Sequence, residues 1–295
     1  SASSRAIALV TSAGFAQAYR RTGVSLSVSA IAGEGTGMER DHDYFAACHF
    51  EDLKTPQEVG KSAGERAVKR LNARKIASQA VTVIYDRRVA SSLLGHLSSA
   101  INGAAIARGT SFLKSKMGQQ IFSKGISVID DPLRLRGLAS RPFDGEGLSS
   151  SRRELIADGI LTGWVLDLRS ARQLGLPPTG NGSRGLSSPP GPSTSNLHLK
   201  PGQLSPEEMI GSLKQGLYIT ELIGNSVNLV TGDYSRGASG FWIENGELAF
   251  PVSEITIAGN LGDMFMTLEP ANDLIFKSST NAPACRVEGL TIAGT

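Results

Sequence analysis

The sequence predicts an α+β protein, in which a small strand-and-helix portion precedes a large, mainly antiparallel β domain with a few helices. The chain has 295 residues, of which 40% are hydrophobic, enough for one large or two ordinary domains. Its 34 glycines lie among many short apolar runs, a composition typical of turn-rich β structure. Signals for tight hairpins and for capped helices recur along it, and they set the order of the elements.

The first portion, residues 1–75, is predicted to contain strands followed by a helix. Residues 6–11 form an apolar run, and residues 24–31 alternate apolar and polar side chains, the period of a half-buried strand. Residues 55–58 (Thr-Pro-Gln-Glu) combine a capping threonine, a proline suited to the first helical position and a capping-box glutamate. We expect this portion to belong to an N-terminal region that is incomplete here, because the chain opens at Ser1 directly on a predicted strand.

The second portion, residues 76–295, is predicted to be rich in strands. It opens with a buried-type strand at residues 81–86, and residues 88–107 form a helix with many small side chains that suits close packing. Asp-Gly at 158–159 and Asn-Gly at 245–246 stand between apolar runs, and both pairs favour the positive φ angles of type I′ hairpins. The order of these signals places several antiparallel strands after the small-residue helix.

Two further segments lie between and beside these hairpins. Residues 177–196 are rich in Gly, Ser and Pro, and we expect a long surface loop inside the domain rather than a linker. Residues 205–208 (Ser-Pro-Glu-Glu) repeat the signature of a capped helix, which should end near Gly216 with a left-handed residue.

Composition argues against several classes of function. The net charge is only +3, with 30 basic and 27 acidic residues interspersed, so direct nucleic-acid binding has no electrostatic support. No apolar run approaches the ~20 residues that cross a bilayer, so we expect no membrane association. Cys48 and Cys285 lie far apart without a Cys-x-x-Cys partner, which favours a reducing, cytoplasmic compartment.

Residues with catalytic potential are few. None of the four histidines, His42, His49, His96 and His198, has a second histidine four or five positions later, so no helical two-histidine metal site is predicted. His42 stands between two aspartates in what we interpret as a charged loop at a strand edge. Gly-x-Ser-x-Gly and phosphate-binding loops are missing from the sequence as well. These residues alone predict no catalytic centre.

Three longer stretches carry a family resemblance. Residues 232–261, which begin Gly-Asp-Tyr-Ser-Arg-Gly-Ala-Ser-Gly, resemble the signature of TldE/PmbA members of the TldD/PmbA family, also called the modulator of DNA gyrase family. Residues 137–147 and 170–176 are similar to the same family, and the likeness runs in order through nearly the whole chain. TldD-like members carry His-Glu-x-x-x-His on a helix and act as zinc metallopeptidases. TldE/PmbA members are similar in fold and pair with them around a proteolytic cavity for unfolded peptides.

The resemblance places the family's metal motif on Ser91, Ser92 and His96. The first ligand histidine is replaced by Ser91 and the catalytic glutamate by Ser92, while only the second histidine remains, as His96. A catalytic zinc needs about three protein ligands and a general base for its water. We therefore predict no catalytic residue and no metal in this chain, with zinc expected only in a TldD-type partner.

The leading hypothesis is a non-catalytic subunit of a cytoplasmic metallopeptidase complex that completes the cavity and holds peptide. The predicted partners are a TldD-type subunit and peptide substrates, with a homodimer when the chain is alone. Candidate peptide-binding residues follow from the longest matching stretch: Asp233, Tyr234, Ser235, Arg236 and Asn260. The alternative is a turn in which Asp233 and Arg236 only tie loops together. Other hypotheses are a regulatory protein that modulates DNA gyrase, and an independent enzyme with an unrecognised site.

Overall fold

The first sheet joins three antiparallel strands, β1 (Ala2–Val10), β2 (Ala16–Ala32) and β3 (Glu39–Ala47), in that order. The computed structural model describes residues 1–294 apart from the side chain of Asn225, so Thr295, the last residue of the predicted second portion, lies outside the described residues. Burial along β2 alternates from residue to residue over 24–31, which confirms the period-two interpretation of that segment.

Helix α1 (Pro56–Lys69) covers this sheet and packs against β2 and β3. The predicted capping box is confirmed: Thr55 accepts a hydrogen bond from the backbone N–H of Glu58, whose side chain accepts one from Thr55 N at 2.8 Å. The helix buries Val59, Ala63 and Ala67, which are spaced by four residues and form one face.

Strand β3 departs from the prediction, because the segment around His42 was expected as a charged loop. Asp41 and Asp43 are only 6% and 8% exposed. Their burial is tolerated because cations from later in the chain meet them: Arg66 lies 3.2 Å from Asp43, and Arg88 lies 2.8 Å from Asp41. Since these partners belong to other elements, local sequence carries no sign of them.

The second portion contains the remaining elements. Its helices are α2 (Arg87–Ala100), α3 (Gly103–Ala107), α4 (Leu168–Leu174), α5 (Pro206–Gly211) and α6 (Leu261–Thr267). Its strands are β4 (Gln79–Tyr85), β5 (Val128–Asp130), β6 (Arg153–Ala157), β7 (Ile160–Leu161), β8 (Gly182–Ser183), β9 (Gly191–Pro192), β10 (Leu197–Leu199), β11 (Gln215–Val227), β12 (Asp233–Glu244), β13 (Glu247–Asn260), β14 (Glu269–Pro270), β15 (Thr280–Asn281) and β16 (Cys285–Ala293).

Five long strands close into a ring that forms the centre of this portion. They follow the order β13-β12-β11-β4-β16, and β13 also pairs with β16 to complete the circle. The pairing of β11 with β4 is parallel, and the other ring pairings are antiparallel. A second sheet has the order β15-β10-β5-β6-β7. Helix α2 packs between β11 of the ring and β10 and β15 of this second sheet, so the small-residue helix lies at the centre of the molecule.

The two predicted hairpins are confirmed. Asp158 and Gly159 have φ angles of 49° and 82° between β6 and β7, and Asn245 and Gly246 have 52° and 82° between β12 and β13. Positive φ at both central residues gives a type I′ turn, whose twist matches that of the flanking strands.

Two predicted helix boundaries are wrong. The small-residue helix breaks after Ala100, because Asn102 caps a new helix by accepting a hydrogen bond from Ala104 N at 3.0 Å. Helix α5 keeps its predicted capping box but ends at Gly211, where Ser212 follows as the cap. Gly216 has already entered β11, since pairing with β12 begins one residue earlier.

The Gly/Ser/Pro tract is exposed at its first residues, 177–178, and again in its middle. Residues 183–189 are exposed, whereas residues 180–182 and 195–196 are buried. Asp130 anchors both ends, accepting hydrogen bonds from Asn181 Nδ2 at 2.9 Å and from Ser195 N at 2.7 Å. A buried carboxylate with several donors fixes the two ends of the excursion.

The predicted α+β class is confirmed, with about 20% of residues in helices and 40% in strands. Within residues 1–294, no helix is both long enough and apolar enough to cross a bilayer.

Candidate functional site

Helix α2 carries the three positions of the degenerate motif. It starts after Asp86, whose carboxylate caps the helix by accepting a hydrogen bond from Arg88 N at 2.8 Å. Ser92 and His96 are four residues apart and so lie on one face, with Ser91 beside them. Because α2 buries its apolar face against both sheets, the directions of these three side chains are fixed by the core.

Ser91 and Ser92 line a cavity of about 340 Å³ between α2, β3 and the ring strands β11 and β12. The Ser92 hydroxyl donates to the carbonyl oxygen of Val89 at 2.6 Å, back into its own helix. The cavity is also lined by charged side chains from each neighbouring element: Asp43, Arg88, Glu221, Arg236 and Lys277. The two serines of the degenerate motif therefore face a charged cavity.

Both carboxylates of the cavity are matched by cations. Asp43 lies 3.2 Å from Arg66 and 3.6 Å from Lys277, and Arg70 lies 2.5 Å from Glu221. Burial acts to raise the pKa of Asp43, but hydrogen bonding and these cations hold that pKa below its ordinary value. Asp43 is accordingly ionised at neutral pH, and both carboxylates have a cationic partner.

The two arginines of the cavity differ in their carboxylate partners. Arg88 is paired, with its guanidinium 2.8 Å from Asp41 and 3.2 Å from Asp86. Arg236 has no carboxylate within 4 Å among the described residues, and its buried Nε finds no hydrogen-bond acceptor there. A buried guanidinium nitrogen without an acceptor is costly, so this side chain stands out in the site.

His96 lies one turn beyond Ser92 and is neutral at neutral pH. Burial, with the nearby charge of Arg236 as a second cause, lowers the pKa of His96 from 6.5 to about 4. The ring meets Tyr234 edge-on, with centroids 5.8 Å apart. Its Nε2 is buried and has no partner within the described part of the chain.

The five predicted peptide-binding residues do not converge on one point. Tyr234 is buried beside His96 and Arg236 lines the cavity, whereas Asp233 and Ser235 alternate to the opposite face of β12. Asn260 ties a loop: its Nδ2 donates to the Thr231 carbonyl at 3.1 Å, and its Oδ1 accepts from Gly262 N at 2.9 Å to cap α6.

The loop-tying interpretation fits only part of the set. Asp233 accepts a hydrogen bond from the Thr231 hydroxyl at 2.6 Å and pairs across the strands with Asn260, as that interpretation requires. Arg236 ties no loop, because it points to the cavity and to His96. A role in peptide binding stays a prediction for all five residues.

Several polar residues of the site escaped the sequence analysis. Tyr85 ends the apolar run of β4 and is fully buried, yet its hydroxyl faces that of Tyr234. Burial, and then this neighbour, raise the pKa of Tyr85 well above its ordinary range. Thr220 and Lys277 line the cavity from β11 and from the segment before β15. Nothing in their spacing marks them, because distant pairings of strands bring them together.

The residues present do not fit a catalytic zinc. In the described part of the chain no group of three or more His, Cys, Asp or Glu side chains could hold a metal ion. The first two motif positions offer hydroxyl groups, which are poor zinc ligands beside imidazole, thiolate and carboxylate. The Arg236 cation, which acts on His96, would also repel a divalent ion.

Comparison with known proteins agrees with the arrangement of the chain. Residues 78–294 match the PmbA/TldA metallopeptidase C-terminal domain, and residues 1–71 match the PmbA/TldA metallopeptidase central domain. The chain is 42% identical to Metalloprotease PmbA of Escherichia coli O157:H7 over 95% of its own length and 61% of that protein. It thus spans about three fifths of this curated relative.

Solved structures show the same fold. A candidate modulator of DNA gyrase from Bacteroides thetaiotaomicron superposes with a TM-score of 0.91 at 30% identity, over 100% of this chain and 65% of that one. TldE from Thermococcus kodakarensis superposes with a TM-score of 0.88 at 24% identity, over 99% and 68% respectively, which shows the fold alone. Because the C-terminal-domain family covers well over half of the sequence, the chain belongs to the PmbA/TldD metallopeptidase family.

Proposed function

We propose that the chain is a non-catalytic, TldE/PmbA-like subunit of a cytoplasmic zinc metallopeptidase complex that cleaves unfolded peptides. It would contribute the wall of the cavity and peptide binding, and a TldD-type partner would supply zinc and the catalytic glutamate. The division into residues 1–75 and 76–295 is part of this proposal, with the cavity formed where β3 of the first portion meets α2, β11 and β12 of the second.

One observation carries the proposal. The motif positions of α2 present Ser91 and Ser92 to a cavity, where a metallopeptidase would present a ligand and a general base. The cation of Arg236 acts on the one histidine that is left, His96. A chain of this family with such a site can shape a substrate cavity but lacks the groups that activate a metal-bound water.

The first experiment mixes this chain with a TldD-type protein and measures cleavage of an unfolded peptide. We expect no cleavage by this chain alone, and cleavage by the mixture that a chelator stops. The zinc content of each purified protein, measured by elemental analysis, assigns the metal to one subunit. Peptide cleavage by the isolated chain, or full activity of the partner without it, would contradict the proposal.

Two variants test whether the site is lost as a whole. His96→Ala should not change the zinc content of this chain, since we expect no stoichiometric zinc to begin with. Restoring the motif residues with Ser91→His and Ser92→Glu should not create a zinc site, because a third ligand is missing and Arg236 remains beside His96. One tightly held zinc per chain, lost in His96→Ala, would overturn the assignment.

A role in modulating DNA gyrase is the second candidate, and the B. thetaiotaomicron structure described in those words supports it. It predicts binding of purified gyrase by this chain without peptide cleavage by any mixture. A pull-down with gyrase, run beside the peptidase assay, separates the two proposals.

A further inference from the structure

The charges that line the cavity leave one cation without a partner. Asp43 is held by Arg66 and Lys277, Glu221 by Arg70, and Arg88 by Asp41 and Asp86. Arg236 is the exception among the charged lining residues of the described chain: no carboxylate lies within 4 Å of it, and its Nε is buried without an acceptor. A planar guanidinium with five N–H donors thus stands without a carboxylate partner at the wall of a cavity.

Hydroxyl groups line the same cavity as this cation. Thr220 lines the same cavity and is only 8% exposed, and its Oγ1 finds no hydrogen-bond partner in residues 1–294. Ser91 lines the cavity from α2, whereas the Ser92 hydroxyl is already committed to Val89. A free cation with two hydroxyl donors forms a site for an anion, since buried polar groups without partners are rare and costly.

We propose that this cavity binds a carboxylate group of a peptide, with Arg236 as the cation and the hydroxyls of Thr220 and Ser91 as further donors. The planar guanidinium fork matches the two oxygens of a carboxylate. One unpaired cation balances the single charge of a carboxylate, whereas a phosphate with nearly two charges would remain under-compensated.

The rest of the cavity suits the residue that bears the carboxylate. Its volume of about 340 Å³ is at the small end of ligand pockets, and Tyr44, Val89 and Leu222 supply apolar wall. The carboxylate could come from the C-terminus of a peptide or from an acidic side chain, and the chemistry of recognition is the same. That the ligand is a peptide rests on the proposed function, but the carboxylate site itself does not.

The binding experiment uses calorimetry and four short peptides of the same apolar sequence: one with a free C-terminus, one amidated, one amidated with an internal glutamate, and one amidated with glutamine at that place. We expect the first and third to bind and the other two to bind at least tenfold more weakly. Comparing the affinities of the first and third peptides shows whether the C-terminus or the acidic side chain supplies the carboxylate. Inorganic phosphate is the competing anion.

Variants locate the site. Arg236→Gln should lower the affinity for the carboxylate-bearing peptides by roughly ten- to a hundredfold, the range for loss of a charge-assisted contact. Arg236→Lys should lower this affinity less. Arg169→Gln, which removes an exposed arginine of α4, is the matched control and should bind as the unmodified chain does.

A second measurement needs no variant, so a failure of Arg236→Gln to fold would leave the test intact. A carboxylate beside Arg236 offsets the charge that acts on His96, so saturating acetate should raise the pKa of His96 in an NMR titration, with exposed His49 unchanged.

Equal binding of all four peptides, tighter binding of phosphate than of carboxylates, or an unmoved His96 would each overturn the inference. None of these outcomes depends on zinc or on a TldD-type partner. Failure of the carboxylate site and failure of the proposed subunit role are therefore distinguishable.

Discussion

The partly buried, neutral His96 ring should make the protein less stable in acid. Replacing His96 should remove its share of the stability lost at acidic pH. Its pKa is lowered from 6.5 to about 4 by burial and by Arg236. Above pH 6.5 the ring is neutral in both folded and unfolded chains, so it contributes no difference. Between about pH 6.5 and 4 only the unfolded chain takes up the proton, so stability falls across this window and the deficit is constant below it.

The structure sets the size of the effect. The full difference in pKa corresponds to about 3 kcal/mol. Because the ring is only partly buried and solvent screens its surroundings, we expect about half of that, roughly 1.5–2 kcal/mol, in the free energy of unfolding. The groups next to the ring are Arg236 and Tyr234, whose hydroxyl neighbours that of Tyr85, and the two tyrosines stay neutral throughout this range.

The assay is urea denaturation followed by the fluorescence of Trp164 and Trp242, both of which are buried. Unfolding free energies at about pH 7.5 and about pH 4.5 are compared for the unmodified chain, His96→Gln and His49→Gln. The carboxylates and His198 contribute equally to the pH dependence of stability in all three proteins. The difference between the proteins in the stability lost on acidification therefore isolates the contribution of His96. The His96→Gln protein should lose about 1–2 kcal/mol less than the other two. An equal loss in all three, or NMR titration of His96 near 6.5, would refute the reasoning.

Three further perturbations test the packing around the site. Gly240→Ala would drive its Cβ into a main-chain carbonyl of β11 and should cost several kcal/mol in denaturation, while Gly60→Ala in open space on α1 should stabilise by about 0.5–1 kcal/mol. Arg70→Met leaves the half-buried Glu39 and Glu221 without this cation and should cost about 1–3 kcal/mol, against about 0–1 kcal/mol for exposed Lys61→Met. Limited proteolysis should cut first within residues 183–189, and a first cut at the buried ends of that tract would contradict the anchoring described above.

Elements fixed by local chemistry were predictable. The capping boxes of α1 and α5 and the two type I′ turns were, because the residues that cap or turn the chain are neighbours in sequence. Strand β3 was not, since its buried Asp41 and Asp43 violate the alternation of apolar residues and are stabilised by arginines of other elements. The break after α2 also escaped, although Asn102 is a good capping residue, because a run of small side chains continues on both sides of it.

The candidate site divides in the same way. Ser91, Ser92 and His96 were found from sequence because their spacing on one helix mirrors a known motif. Tyr85 and Thr220 were not found from sequence, since a tyrosine or threonine in an apolar strand is interpreted as a core residue unless the neighbouring strands are known. In a site assembled from a helix and a closed ring of strands, the spacing along the helix places some residues and the strand register places the others.

Arg236 shows why strand register matters for function. Its place in a family-like stretch predicted contact with peptide or with a loop, but not that its guanidinium would lack a carboxylate partner. The register that pairs Arg236 with Ile257 on β13 turns this side chain toward α2, while Ser235 and Asp233 turn away. The Ser91 hydroxyl and the Arg236 guanidinium therefore line the same cavity. In the proposed function, helix α2 of this chain lines a cavity that holds a negative group of a peptide through Arg236.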